Sequence, residues 1–236
     1  MSAQTWLTDT RDSYDTVAVS YADQLREALA GEPYLRAVLA LFAELVRDAG
    51  GGTVADVGCG PGHVAAHLRE LGADALGVDL SPRMIEVARR DHPGLHFAVG
   101  SMTRLPLADA SVAAVLAFWS LIHIPDEAVP TVFAEFHRVT PPGAPLLLGF
   151  HLGDETRLKT QGYGGHPMNV HIHLRRPDRV TAWLGEAGFT VEAEFLLDLD
   201  ERQPGAVLFA RREGQGLSPA AKVAGHGPSG CASMQQ

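Results

Sequence analysis

The residues that could do chemistry gather first in Val54-Ala55-Asp56-Val57-Gly58-Cys59-Gly60-Pro61-Gly62. Three alternating glycines let the backbone turn tightly and let a ligand come close to it. Free amides at the start of a following helix favour an anion. A dinucleotide loop carries G-x-G-x-x-G at such a place. Here the spacing is G-x-G-x-G, and Asp56 stands two residues before the first glycine. A carboxylate there repels a pyrophosphate and suits a ligand with an ammonium group, although it could also serve as a plain acceptor for loop amides. A second acid, Asp79, ends Gly77-Val78-Asp79 twenty-one residues after Gly58, where it can accept from both hydroxyls of a ribose. Ammonium, carboxylate and ribose together describe S-adenosylmethionine better than a nicotinamide dinucleotide.

Histidine supplies the second set of reactive groups. Of eleven, six lie between His123 and His173. His123 follows a predicted fourth strand and His151 ends a fifth, so both belong near the rim where open parallel sheets bind ligands. An imidazole titrates near neutral pH, which makes His123 the first candidate for a base or an acceptor-orienting group. A structural histidine bonded to backbone is the competing reading. His123, His151 and Tyr21 form the candidate catalytic set. Trp119, His123, His151, Tyr163, His171 and His173 form the candidate substrate-binding set, with Trp119 as an aromatic wall for a flat acceptor. His166, His171 and His173 lack an obvious fourth ligand, so no metal site is expected.

Positioning these residues requires an alternation of strands and helices. Apolar spacing predicts helices over 13–30 and 33–49, stopped by Gly50-Gly51-Gly52. Strands are predicted at 53–57, 75–78, 95–99, 112–117 and 144–151. Helices are predicted at about 61–71, from Ser81-Pro82 to about 90, and at 126–139. This order implies a doubly wound, Rossmann-like α/β fold with a seven-stranded, mostly parallel sheet and helices on both faces. Residues 153–168 read as a glycine-rich loop. Val170–Leu174 alternates, as in an edge or lid strand. After a helix at 177–187, 189–197 and 205–211 read as an antiparallel hairpin closing the sheet. The tail from about Gly214, with Cys231, reads as disordered.

The stretches VADVGCGPGH, LGVDLSPRMIEVAR, VGSMTRLPLADASVAAVLAFWSLIHIP and FHRVTPPGAPLLLGF, with YDTVAVSYAD near the N-terminus, resemble class I S-adenosylmethionine-dependent methyltransferases of the small bacterial type that act on small molecules. The resemblance implies that Asp56 and the backbone of Gly58, Gly60 and Gly62 hold the methionine part. It implies that Asp79 holds the ribose, that Leu80 and Met84 pack on the adenine, and that Ser101 and Met102 sit at the adenine edge. Phe118 would offer backbone contacts to the methionine amine, and Tyr14 and Tyr21 would cover the cofactor. The two tyrosines lie seven apart on one helix face, so core packing also accounts for them. Ser101 departs from the family, which usually has an acid there.

The implied organisation is an N-terminal helical lid over 1–50, a methyltransferase domain over 51–213 with a substrate-facing insertion at about 153–176, and a tail over 214–236. The expected activity is in-line transfer of a methyl group to a small aromatic or heteroaromatic metabolite at O, N or C, an indole being one example. A nicotinamide-dependent oxidoreductase and a non-catalytic cofactor-binding module are the alternatives. A net charge of −9 argues against nucleic acid as partner. No run of about 18 apolar residues is present, so no membrane span is expected. The polar N-terminus does not read as a signal peptide. Two distant cysteines exclude a disulfide framework, and a cytoplasmic location fits. A homodimer is compatible with the sequence.

Overall fold

Two halves of one sheet meet beside the strand that carries Asp56, and this meeting point organises the molecule. The computed structural model describes residues 3–26, 28–197 and 204–214. The helices are α1 (Ala3–Leu25), α2 (Ala28–Gly31), α3 (Pro33–Asp48), α4 (His63–Glu70), α5 (Pro82–Asp91), α6 (Val129–Val139) and α7 (Pro177–Glu186). The strands are β1 (Val54–Val57), β2 (Ala75–Asp79), β3 (His96–Val99), β4 (Ala114–Phe118), β5 (Pro145–His151), β6 (Thr156–Gly162), β7 (His166–His173), β8 (Phe189–Leu197) and β9 (Gly205–Arg212). Seven of them form one sheet in the order β3-β2-β1-β4-β5-β9-β8. The first five are parallel; β9 pairs antiparallel with both β5 and β8. This is the Rossmann-like architecture expected.

The central strands are short apolar runs because helices cover both of their faces. β1 and residues 114–117 of β4 are buried throughout. Two apolar layers flank them. One contains Phe133, Phe136 and Val139 of α6 with Val180 and Leu184 of α7. The other contains Val38, Leu39, Phe42 and Val46 of α3 with Val64 and Leu68 of α4. α5 starts as its sequence suggests: Pro82 opens the first turn, and the Ser81 Oγ accepts from the Met84 backbone N–H at 3.0 Å.

Two segments differ from expectation. The first helix begins at Ala3 rather than residue 13 and ends at Leu25, with α2 separate. Residues 156–162 are not loop: β6 pairs antiparallel with β7 to make a two-stranded ribbon outside the main sheet. Most of β6 faces solvent, so no apolar alternation marks it in the sequence. α1 packs along β7 and α5, sharing an apolar cluster of Val17, Ala18, Met84, Met168 and Val170. The Ser13 Oγ accepts from the Asn169 backbone N–H at 2.8 Å and fixes helix to ribbon. The predicted tail beyond Gly214, with Cys231, lies outside the described residues.

Candidate functional site

β1 connects to β2 and β3 on one side, while β4 lies on its other side. Loops leaving β1 and β4 therefore diverge and open a crevice at the carboxyl ends of the strands. The loop after β1 carries Gly58, Gly60 and Gly62; the turn after β4 carries Trp119, Ser120 and His123. Asp79, Leu80, Met84, Ser101, Met102 and Phe118 line the crevice together with Tyr14, Tyr21 and His123.

The three glycines have left-handed φ values of 78°, 53° and 84°, but different surroundings. A Cβ on Gly58 would strike the Ser120 Cβ at 2.2 Å, and one on Gly62 would strike the Phe97 ring at 2.7 Å. Gly62 thus serves close packing against the core instead of lining the crevice. A Cβ on Gly60 would meet only Tyr21, at 3.6 Å, and would project between the loop and that ring. Gly60 therefore leaves a space that any side chain would fill.

Asp79 organises the loop. Its Oδ2 accepts from the Gly60 N–H and its Oδ1 from the Ser81 N–H, both at 2.8 Å. Burial raises its pKa to about 6, against the lowering effect of these backbone donors. Asp56 is more deeply enclosed. Burial, then the charge of Asp79, raises it to about 8, while a hydrogen bond from the Ala65 backbone acts the other way. Its Oδ2 has no hydrogen-bond partner among the described residues. It lines a neighbouring cavity that shares Tyr21, Gly58, Gly60, Phe118 and Trp119 with the crevice. Ser101 Oγ pairs with Thr103 Oγ1 at 2.7 Å and accepts from the Thr103 N–H at 3.2 Å. Part of its hydrogen-bonding capacity is thereby used locally.

His123 is nine-tenths buried. Its Nδ1 lies 2.9 Å from the His171 carbonyl oxygen, and its Nε2 lies 2.6 Å from the Tyr14 hydroxyl. A carbonyl can only accept, so Nδ1 carries the proton and Nε2 accepts from Tyr14. Burial pushes the imidazole pKa down to about 4; Lys159, His173 and His151 add to this, and the His171 carbonyl opposes it. Burial likewise raises the Tyr14 phenol, with Tyr163 and Tyr21 contributing. Arg175 supports this corner from below. It donates to Asp126 Oδ1 at 2.9 Å, to the Leu121 carbonyl at 3.0 Å and to the Ile124 carbonyl. Sequence alternation places Arg175 on the polar face of its strand with His171 and His173, but it is buried and braces the turn that carries His123.

The other candidates divide. Trp119 lines the crevice in a left-handed backbone conformation, φ 53°. Its backbone N–H donates to the Gly149 carbonyl at 2.9 Å. Its ring fits against Gly149, where a Cβ would approach to 2.8 Å. Gly149→Ala should therefore lower stability by about 1–3 kcal/mol through overpacking, read as a reduced Tm in thermal denaturation. His151 stands behind Trp119, with its Nδ1 3.3 Å from the indole Nε1, so the indole forms the crevice wall at that point. Tyr163 packs edge-on against Tyr21 at 4.5 Å, and Lys159 lies over its ring. His171 and His173 stack at 6.3 Å and line a further cavity that reaches His123, Trp6 and Thr10. Among the described residues no group of three or more His, Cys, Asp or Glu is placed to hold a metal.

Sequence reasoning missed the α1 residues Trp6, Leu7, Thr10 and Arg11, which line the crevice mouth. Trp6, Thr10 and Tyr14 recur every four residues, the spacing of one helix face. Extending that face towards the N-terminus would have found them.

Residues 54–143 match the family model of a methyltransferase domain. A malonyl-[acyl-carrier protein] O-methyltransferase from Serratia marcescens is 36% identical over 92 residues, 39% of this chain and 35% of that protein. A demethylmenaquinone methyltransferase from Chlorobaculum parvum is 35% identical over 137 residues, 56% of each. The chain spans about a third to just over half the length of these curated relatives. Among solved structures, a Burkholderia thailandensis 1,6-didemethyltoxoflavin-N1-methyltransferase, crystallised with 1,6-didemethyltoxoflavin and S-adenosylhomocysteine, aligns with TM-score 0.69 and 20% identity. The alignment covers 91% of this chain and 92% of that one. At that identity the likeness is one of fold. Among the described residues no helix is long and apolar enough to cross a membrane.

Proposed function

We propose that this chain, whose residues 54–143 match the family model of a methyltransferase domain, moves a methyl group from S-adenosylmethionine to a small aromatic or heteroaromatic acceptor. The observation that carries the reading is one crevice whose lining brings Asp79 and Gly60 together with Tyr14, His123, Trp6 and Trp119. When bound, S-adenosylmethionine supplies a methyl carbon activated by its positively charged sulfur.

The residues fit that cofactor. The unpartnered Asp56 Oδ2 gives an ammonium group a buried acceptor that becomes anionic when its carboxyl gives up its proton. The open side of Gly60 leaves room for a ligand to approach the backbone. Asp79 already orders the loop and keeps lone pairs for ribose hydroxyls. Leu80, Met84 and Met102 offer an apolar slot for a flat base. Trp6 and Trp119 would then wall the acceptor, and Tyr21, stacked edge-on with Tyr14 at 5.9 Å, would cover the site and keep water out. Methyl transfer depends chiefly on alignment, so the chain's main contribution is to hold the acceptor in line and dry. We place the lid function on α1 and the β6–β7 ribbon, which the Ser13–Asn169 bond joins.

Calorimetric titration with S-adenosylmethionine and S-adenosylhomocysteine, followed by incubation with a panel of aromatic and heteroaromatic compounds, tests the reading. We expect saturable binding of both cofactor forms and acceptor-dependent release of S-adenosylhomocysteine. Binding of NAD with none of S-adenosylmethionine would replace the reading with an oxidoreductase. Cofactor binding without turnover across the panel would favour a non-catalytic module.

A further inference from the structure

We infer that Tyr14, not His123, is the group that takes the acceptor's proton, and that the two act as a relay which suits the site to O–H and N–H acceptors. The inference rests on the methyltransferase reading above and names the acceptor class within it.

The geometry allows one proton arrangement. The His171 carbonyl fixes the His123 proton on Nδ1, and the only lone pair of the neutral ring, on Nε2, is taken by the Tyr14 O–H at 2.6 Å. An acceptor in the crevice therefore cannot reach the imidazole lone pair without displacing Tyr14. Tyr14 lines the crevice, and its oxygen, which also interacts with the Tyr163 hydroxyl, keeps a lone pair beyond the bond it donates to His123. Three independent anchors hold the pair together. Asn169 fixes the turn of α1 that carries Tyr14, Arg175 braces the turn after β4, and the two rings meet edge-on at 5.2 Å.

In the step, the acceptor heteroatom bonds to the methyl carbon while the carbon–sulfur bond breaks, leaving its electron pair on sulfur. The acceptor's X–H bond breaks with its pair on X. That proton passes to the Tyr14 oxygen as the Tyr14 proton passes to His123 Nε2. The products are methylated acceptor, S-adenosylhomocysteine, neutral Tyr14 and a His123 imidazolium, which returns its proton to solvent on opening. One positive charge disappears from sulfur as one appears on imidazole, so the crevice holds the same net charge before and after. The burial that disfavours an imidazolium in the empty site is thus opposed by the loss of the cation on sulfur.

The test uses the full chain, S-adenosylmethionine, and phenols and N–H azoles graded in acidity at about pH 8, where a free imidazole is neutral. Tyr14→Phe and His123→Gln should each lower turnover of acceptors that are protonated at that pH by roughly 10²-fold or more. The loss should shrink as acceptor acidity rises and be smallest for acceptors already ionised at that pH. Independently of turnover, ¹⁵N spectra of histidine-labelled protein should show His123 as the Nδ1–H tautomer, with an Nε2 shift that moves in Tyr14→Phe. An Nε2–H tautomer overturns the relay. So does equal loss on ionised and protonated acceptors, or no turnover of any member of the series by a protein that binds the cofactor. Failure to bind S-adenosylmethionine overturns the methyltransferase reading itself.

Discussion

Replacing Asp79 by alanine is expected to weaken S-adenosylmethionine binding by roughly 10²-fold or more, because two charge-assisted hydrogen bonds to a ribose are each worth about 1.5–3 kcal/mol. The effect has two sources. In the proposed complex Asp79 would offer its remaining lone pairs to the ligand, and it also holds the Gly60 and Ser81 N–H groups at 2.8 Å. Removing it takes away a ligand contact and frees the loop. Asp79→Asn removes the charge with a smaller loss of loop order than alanine, since its amide oxygen still accepts one of the two N–H bonds while its NH2 faces the other. Calorimetry with S-adenosylmethionine and S-adenosylhomocysteine reads the loss, with circular dichroism to confirm folding. The alanine protein binding as tightly as wild type would remove the ribose assignment. Because the Asp79 pKa is raised to about 6, wild-type affinity should also fall as pH drops below that value.

Asp56→Asn should move stability and binding in opposite directions. A carboxyl whose folded pKa is raised to about 8 binds its proton more tightly in the folded chain than in the unfolded one. Its contribution to stability is complete below the unfolded pKa of about 3.9 and is lost as pH rises towards 8. The amide is neutral throughout and escapes that loss, so the variant should be more stable by about 2–4 kcal/mol near neutral pH. Its stability should also vary less across the range between those two pKa values, leaving the shallower dependence due to Asp79. Binding suffers instead, since the unpartnered Oδ2 belongs to the carboxyl that would give up its proton to face the proposed ammonium as an anion. Affinity should drop by roughly 10-fold or more. Wild type should release a proton on binding near neutral pH, seen as a dependence of the apparent enthalpy on buffer ionisation, and the variant should release less. A variant that is no more stable than wild type, or that binds equally well, would make Asp56 a loop acceptor only.

The parallel core was legible because its strands are buried on both faces and punctuated by glycine. Val54–Val57 before Gly58 and Ala75–Asp79 before Ser81-Pro82 state strand, turn and helix start locally. Asp79 was legible for the same reason: the end of a strand fixes where its side chain emerges. What failed to register was structure whose order comes from partners distant in sequence. Thr156–Gly162 carries no apolar alternation, because β6 is the mostly exposed strand of the ribbon; only pairing with His166–His173 makes it a strand.

Within the site, the glycine loop, the two acids and the rim histidines could be read from the chain alone, since each depends on a few consecutive residues and the strand-end rule. Which of these groups meet was a matter of folding. Tyr14 and His123 are 109 residues apart and touch only because α1 lies on β7. Arg175 became a buried brace, His151 stood back behind Trp119, and Gly62 turned to the core. Side-chain partners across such separations are set by how helices and ribbon pack over the sheet, and packing is a property of volumes and faces that no local spacing encodes.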